Sequence, residues 1–176
     1  VEHYISHILD MRSVEFGTPE DLHGIQCAIG TLETLRLYEK LQKITPDREK
    51  ALSFVKSFSY DDWVAQLRAF LGRGAESMIA LEKKERKYDV QAHKARLEKI
   101  IANWDAILEI ARQEIPQREA LDALYEKLEL PGSFAELGEP ETMLPTVLRA
   151  TKDIRDKYVL SRLVWDLGLE AEIFGI

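Results

Sequence analysis

Residues 90–113 read VQAHKARLEKIIANWDAILEIARQ, and this stretch decides the fold class. Its apolar side chains recur at spacings of three, four or seven residues, at Val90, Leu97, Ile101, Trp104, Leu108 and Ala111. This spacing puts them on one stripe of an α-helix, whereas a half-buried β-strand would alternate every second residue. The stretch therefore predicts one long amphipathic helix.

Helical signals continue on both sides of this stretch, and sustained period-two alternation occurs nowhere in the sequence. Asp47 is predicted to cap one helix, and either Ser59 or Asp61 to cap the next, which ends near Gly72. Further helices are predicted over residues 2–13, 24–43, 48–57, 75–87 (exposed), 116–128, from Glu139-Pro140 onward, and over 146–167. The prediction is an all-α fold, a helical bundle of about seven to nine helices, in a single domain spanning residues 1–176.

Composition narrows the classes of function. The 176 residues carry a net charge of −7, and 45% of them are hydrophobic, which is typical of a globular domain. No apolar run approaches the ~20 residues that a membrane helix needs, so no membrane partner is expected. The acidic balance disfavours nucleic acid as a partner. Cys27 is the single cysteine, so we expect a reducing, cytoplasmic setting and a small buried side chain at this position.

Three of the four histidines lie within the first 23 residues. His3 and His7 are four residues apart, so they project from one face of the first predicted helix. His23 follows a loop and begins the second helix, and an antiparallel helix pair could bring it back beside His3. Imidazole is a common ligand of zinc, iron and nickel, but the spacing alone leaves open whether a metal binds here. The fourth, His93, is expected on the surface.

The sequence resembles a known family in two segments. Residues 2–11 (EHYISHILDM) and 22–31 (LHGIQCAIGT) resemble the metal site of glycerol-1-phosphate dehydrogenases, where a Glu-His-x-x-Ser-His helix is followed by His-Gly at the start of the next. Residues 154–160 (IRDKYVL) are similar to an Arg-Tyr segment near the C-terminus of that family. These enzymes belong with the iron-containing alcohol dehydrogenases, glycerol dehydrogenases and dehydroquinate synthases.

The resemblance implies a role for each histidine. His3 and His23 fall on metal-ligand positions, and His7 falls on a histidine that contacts substrate or relays a proton. The third ligand of the family is an aspartate that precedes this domain, so two ligands alone would hold metal weakly. Zinc is the first choice of metal, and nickel and iron also accept this ligand set. Arg155 and Lys157 are expected either to contact a phosphate or to form surface salt bridges.

The function implied is that of the C-terminal, metal- and substrate-binding domain of an NAD(P)-dependent glycerol-1-phosphate dehydrogenase. The substrate is a glycerol phosphate, and NAD(P) would bind on a nucleotide-binding half that residues 1–176 lack, so this part alone is expected to be inactive. An exposed interdomain face would favour a homo-oligomer. A related glycerol dehydrogenase, a non-enzymatic helical binding module and a free-standing metal-binding bundle are the alternatives.

Overall fold

In the computed structural model, which describes residues 1–175, eleven α-helices follow one another and no β-strand occurs. Eight of these helices have nine or more residues, so the predicted all-α fold with seven to nine helices is confirmed. In chain order the helices are α1 (Glu2–Phe16), α2 (His23–Leu41), α3 (Arg48–Lys56), α4 (Tyr60–Leu71), α5 (Ala75–Glu85), α6 (Val90–Ala102), α7 (Trp104–Glu114), α8 (Arg118–Lys127), α9 (Leu144–Ala150), α10 (Leu160–Asp166) and α11 (Glu170–Phe174).

The helix starts follow the predicted capping signals. The Asp47 carboxylate accepts a hydrogen bond from the backbone N–H of Lys50 at 2.9 Å and begins α3. Ser59, rather than Asp61, caps α4, because its hydroxyl accepts the N–H of Asp62 at 3.2 Å. These oxygens satisfy backbone donors that have no partner within the first helical turn.

Three predicted helices need correction. The single helix over 90–113 is wrong, since it breaks at Asn103, whose φ of −115° and ψ of 16° lie outside the helical region. The continuous helix over 146–167 is also wrong: α9 ends at Ala150, and residues 154–159 lie outside any helix before α10 begins. Helix α5 is not exposed along its length, because Met78 and Ile79 are buried in the core.

Helices α1 and α2 form a closely packed antiparallel pair. Gly30 faces Glu2 and Gln26 faces Ser6, so residue numbers fall along one helix as they rise along the other. A Cβ atom added at Gly30 would lie only 2.8 Å from the backbone oxygen of Glu2. Glycine is therefore required where the two backbones approach each other.

One cluster of buried apolar side chains runs through the helices. It includes Trp63, Trp104 and Trp165, so all three tryptophans pack in the core. Ile173 and Phe174 near the C-terminus are buried against the same bundle. No helix within residues 1–175 has the length and apolar composition needed to cross a bilayer.

The C-terminal part of the chain contains an ionic cluster. It is formed by the buried carboxylates of Asp153, Asp166 and Glu170 with their partners. Asp153 accepts hydrogen bonds from Trp63 Nε1 at 3.1 Å and from Tyr88 Oη at 2.6 Å. Glu170 pairs with Lys152 at 3.2 Å, and Lys152 is itself almost fully buried. Asp153 therefore has hydrogen-bond donors and Glu170 has a buried cation beside it, as burial of charge requires.

The Asp166 carboxylate accepts two hydrogen bonds from the Arg96 guanidinium, at 3.1 and 3.0 Å. It accepts a third from Tyr158 Oη at 2.9 Å. His93 lies beside it and is fully buried, so the prediction of a surface histidine is wrong. Its Nε2 atom lies 2.8 Å from the backbone oxygen of Asp166, and its ring packs edge-on against Trp165. Because a carbonyl only accepts, Nε2 carries the proton and Nδ1 is left without a partner.

Candidate metal centre

The structure brings the three N-terminal histidines together on one side of the α1–α2 pair. His3 is in the first turn of α1 and His23 is the first residue of α2, and both side chains are exposed. The Nδ1 atom of His3 lies 3.3 Å from the Nε2 atom of His23. The ring of His7 stands edge-on to that of His3, with ring centroids 4.4 Å apart.

A hydrogen-bond relay fixes the orientation of the His23 ring. The Ser6 hydroxyl donates its one proton to Gln26 Oε1 at 2.6 Å and lies 2.7 Å from His23 Nδ1. Since that proton is already committed to Gln26, the hydroxyl accepts from Nδ1–H of His23. Nε2 of His23 therefore carries a lone pair that a metal ion bound between His23 and His3 could accept.

The spacing of the two nitrogens suits a tetrahedral metal ion. Two nitrogens, each about 2.0–2.1 Å from a tetrahedral zinc, lie about 3.3–3.4 Å apart. The observed separation between His3 Nδ1 and His23 Nε2 is 3.3 Å. The two residues that the family resemblance assigns to the metal thus fit its coordination geometry.

The surroundings hold His7 in its neutral form. Burial lowers the pKa of His7, and the positive charges of His3 and Arg155 lower it further, against the opposing effect of Asp10. A neutral imidazole beside the metal position can accept a proton. Residues 158–160 line one cavity together with Val1, Glu2 and Thr31, so the two segments that carry the resemblance lie side by side. Arg155 and Lys157 are both exposed.

Cys27 is the residue that sequence reasoning missed. Its side chain is half-buried rather than packed in the core, and its Sγ lies 3.5 Å from His23 Nε2. His3, His23 and Cys27 offer three donor atoms that all lie within 4.8 Å of one another. Burial raises the pKa of the Cys27 thiol, as do the charges of Glu2 and Asp10, so it is protonated when free. Its position four residues after His23 was the available signal.

Asp10 completes the rim of the site. Its carboxylate lies 3.8 Å from Nδ1 of His23, at a distance where the charge can favour the ligand without a direct hydrogen bond.

Comparison with known proteins adds no relative: no protein-family model, curated protein or solved structure matches this chain.

Proposed function

We propose that this chain provides the metal- and substrate-binding part of an NAD(P)-dependent dehydrogenase that oxidises glycerol 1-phosphate to dihydroxyacetone phosphate. The observation that carries the proposal is the 3.3 Å separation of His3 Nδ1 and His23 Nε2 on neighbouring helices. These two histidines would hold a divalent ion, with zinc as the first choice and nickel or iron as alternatives.

Each residue of the site has a defined part in the proposed reaction. A bound divalent cation supplies Lewis-acid polarisation of the secondary hydroxyl of the substrate. His7, neutral because its pKa is lowered by burial and by neighbouring positive charge, accepts the hydroxyl proton. NAD(P), held by another part of the enzyme, would supply the acceptor for the hydride from the carbon that bears this hydroxyl.

The charge and exposure of Arg155 favour a phosphate-bearing substrate over glycerol itself. Its guanidinium is exposed, and its positive charge is among the causes that lower the pKa of His7. Arginine binds phosphate through paired N–H donors, so it could hold the phosphate end of the substrate while the hydroxyl faces the histidines.

Residues 1–175 contain no β-strand, so the proposal assigns NAD(P) to another part of the enzyme. A reducing, cytoplasmic compartment also belongs to the proposal and suits the free thiol of Cys27.

Metal titration by calorimetry tests the ligand assignment. We expect zinc to bind one site per chain, and His3→Ala and His23→Ala each to lower the affinity by about 100-fold or more. His7→Ala is the matched control, since it removes a neighbouring imidazole that is not a proposed ligand, and should change the affinity only a few-fold. Circular dichroism checks that each variant keeps its helices. Absent binding, or binding that survives in both ligand variants, would overturn the assignment.

Substrate binding to the zinc-loaded chain tests the reaction class. Glycerol 1-phosphate should bind more tightly than glycerol, and Arg155→Ala should remove about 10-fold or more of that advantage, because a charge-assisted contact is lost. Lys157→Ala provides the matched control, being an exposed cation two residues away. Equal affinity for the two ligands in the wild-type chain would instead favour a related glycerol dehydrogenase and contradict the phosphate assignment.

A further inference from the structure

We propose that Cys27 is a third ligand of the metal, so that residues 3–27 contain a two-histidine, one-cysteine site that needs no aspartate from elsewhere. The inference rests on the proposed function, because it assumes the metal position defined by His3 and His23. It goes beyond it by assigning the thiolate sulfur of Cys27 to the inner coordination sphere.

The distances agree with tetrahedral coordination at sulfur as well as at nitrogen. A nitrogen about 2.0–2.1 Å from zinc and a sulfur about 2.3 Å from zinc lie about 3.5–3.6 Å apart at a tetrahedral angle. The Sγ atom of Cys27 lies 3.5 Å from Nε2 of His23, and the full set of three donors lies within 4.8 Å. The third pair of donors, in His3 and Cys27, also lies within 4.8 Å, and the His3 side chain is exposed.

The helix places this thiol where a ligand can use it. Cys27 follows His23 by four residues on α2, so both side chains project from the same face, toward α1. Cys27 is half-buried beneath the exposed rings of His3 and His23, so it would bind the metal from the protein side. The side that faces solvent is left for a fourth ligand, as in metal sites that accept a substrate.

This donor set also predicts which metals bind. Thiolate and imidazole suit zinc and cobalt, whereas magnesium and calcium prefer oxygen ligands. A site made of His3, His23 and an external aspartate would discriminate less strongly against the oxygen-seeking ions. With Cys27 as a ligand, the chain should bind zinc and cobalt in the presence of excess magnesium.

Cobalt(II) is the probe that tests the proposal, because a thiolate ligand gives it a charge-transfer absorption in the near ultraviolet that imidazole ligands do not. We expect this absorption in the wild-type chain and its loss in Cys27→Ala, together with a fall in cobalt affinity of about 10-fold or more. Thr31→Ala is the matched control, since Thr31 lies one turn further along α2 and its hydroxyl donates to the backbone oxygen of Cys27, not to the thiol. It should keep the absorption.

The outcomes separate this inference from the proposed function. One outcome is that cobalt binds the wild-type chain without a thiolate absorption, and that this binding is lost in His3→Ala and His23→Ala. In that case Cys27 is not a ligand and the histidine site stands. If cobalt does not bind the wild-type chain at all, both the inference and the proposed metal site are overturned. If Cys27→Ser restores neither the absorption nor the affinity, the requirement for sulfur itself is supported.

Discussion

Replacing Gly30 by alanine should loosen the α1–α2 pair and weaken the metal site together. The added Cβ would sit 2.8 Å from the backbone oxygen of Glu2, where ordinary van der Waals contact begins at 3.4 Å. Because the obstacle is backbone rather than a flexible side chain, the two helices must separate by about 0.6 Å, the difference between these distances. Glu2 precedes His3, so this movement carries His3 away from His23.

The magnitude follows from comparison with a second glycine in the same helix. Gly24 has no atom within 4 Å of an added Cβ, so Gly24→Ala makes no clash. Both substitutions gain helix propensity, up to about 1 kcal/mol each. Overpacking of a close contact costs about 1–3 kcal/mol, so the free energy of unfolding should be lower by that amount for Gly30→Ala than for Gly24→Ala.

Urea denaturation followed by circular dichroism, with metal removed by a chelator, measures this difference. Zinc affinity of the same proteins should fall about 10-fold or more in Gly30→Ala, since a ligand displaced from its position is a poorer ligand. If Gly30→Ala is as stable as Gly24→Ala and binds zinc as the wild-type chain does, the close approach of the two helices is not what positions His3.

Three further substitutions probe the buried polar groups. Burial lowers the pKa of His93, so its neutral form stabilises the fold above its unfolded pKa and this contribution is lost as the pH falls through the folded pKa. Between pH 7.5 and pH 5, the free energy of unfolding should therefore decrease less in His93→Gln than in the wild-type chain. Urea denaturation at the two pH values measures this difference. Asp166→Ala should cost about 3–5 kcal/mol, because it removes the partner of the buried Arg162 and of the half-buried Arg96, whereas Arg68→Ala in an exposed pair should leave the stability almost unchanged. Ser6→Ala should lower zinc affinity about 10–100-fold by releasing the His23 ring.

Each of these has a result that contradicts it. A pH dependence unchanged in His93→Gln would mean that His93 is not the group that titrates. An Asp166→Ala chain as stable as Arg68→Ala would mean that its buried partners find other acceptors. Unaltered zinc affinity in Ser6→Ala would show that the hydroxyl does not orient His23.

The fold class and many helix starts could be predicted because they depend on local sequence. Apolar periodicity and the capping residues Asp47 and Ser59 act within a few residues, and the structure follows them. The break at Asn103 could not be seen, because the apolar spacing continues unchanged across it from α6 into α7. The end of the α-helix at Ala150 is likewise hidden, since Thr151–Asp153 continue as a tighter 3-10 turn, in which Lys152 and Asp153 belong to the ionic cluster.

The candidate site was predictable where the spacing within one helix was informative, and not where distant residues meet. His3, His7 and His23 come together as an antiparallel helix pair requires. His93 was misplaced because its partner, the backbone oxygen of Asp166, lies 73 residues further along the chain. For Cys27 the sequence predicts a small buried side chain, although its four-residue spacing from His23 already places it on the same face of the helix.

The buried positions of the molecule fall into two sets that differ in their tolerance to mutation, the apolar core and the ionic cluster. Positions in the apolar core can exchange one aliphatic side chain for another singly, because packing depends on volume and not on a specific partner. Asp153, Asp166 and Glu170 are bound by directional contacts to buried cations and phenols, so a change at one leaves a charge unpaired at another. In related sequences that diverge by random substitution, the apolar positions should therefore drift independently, whereas this cluster should be retained or replaced as a set.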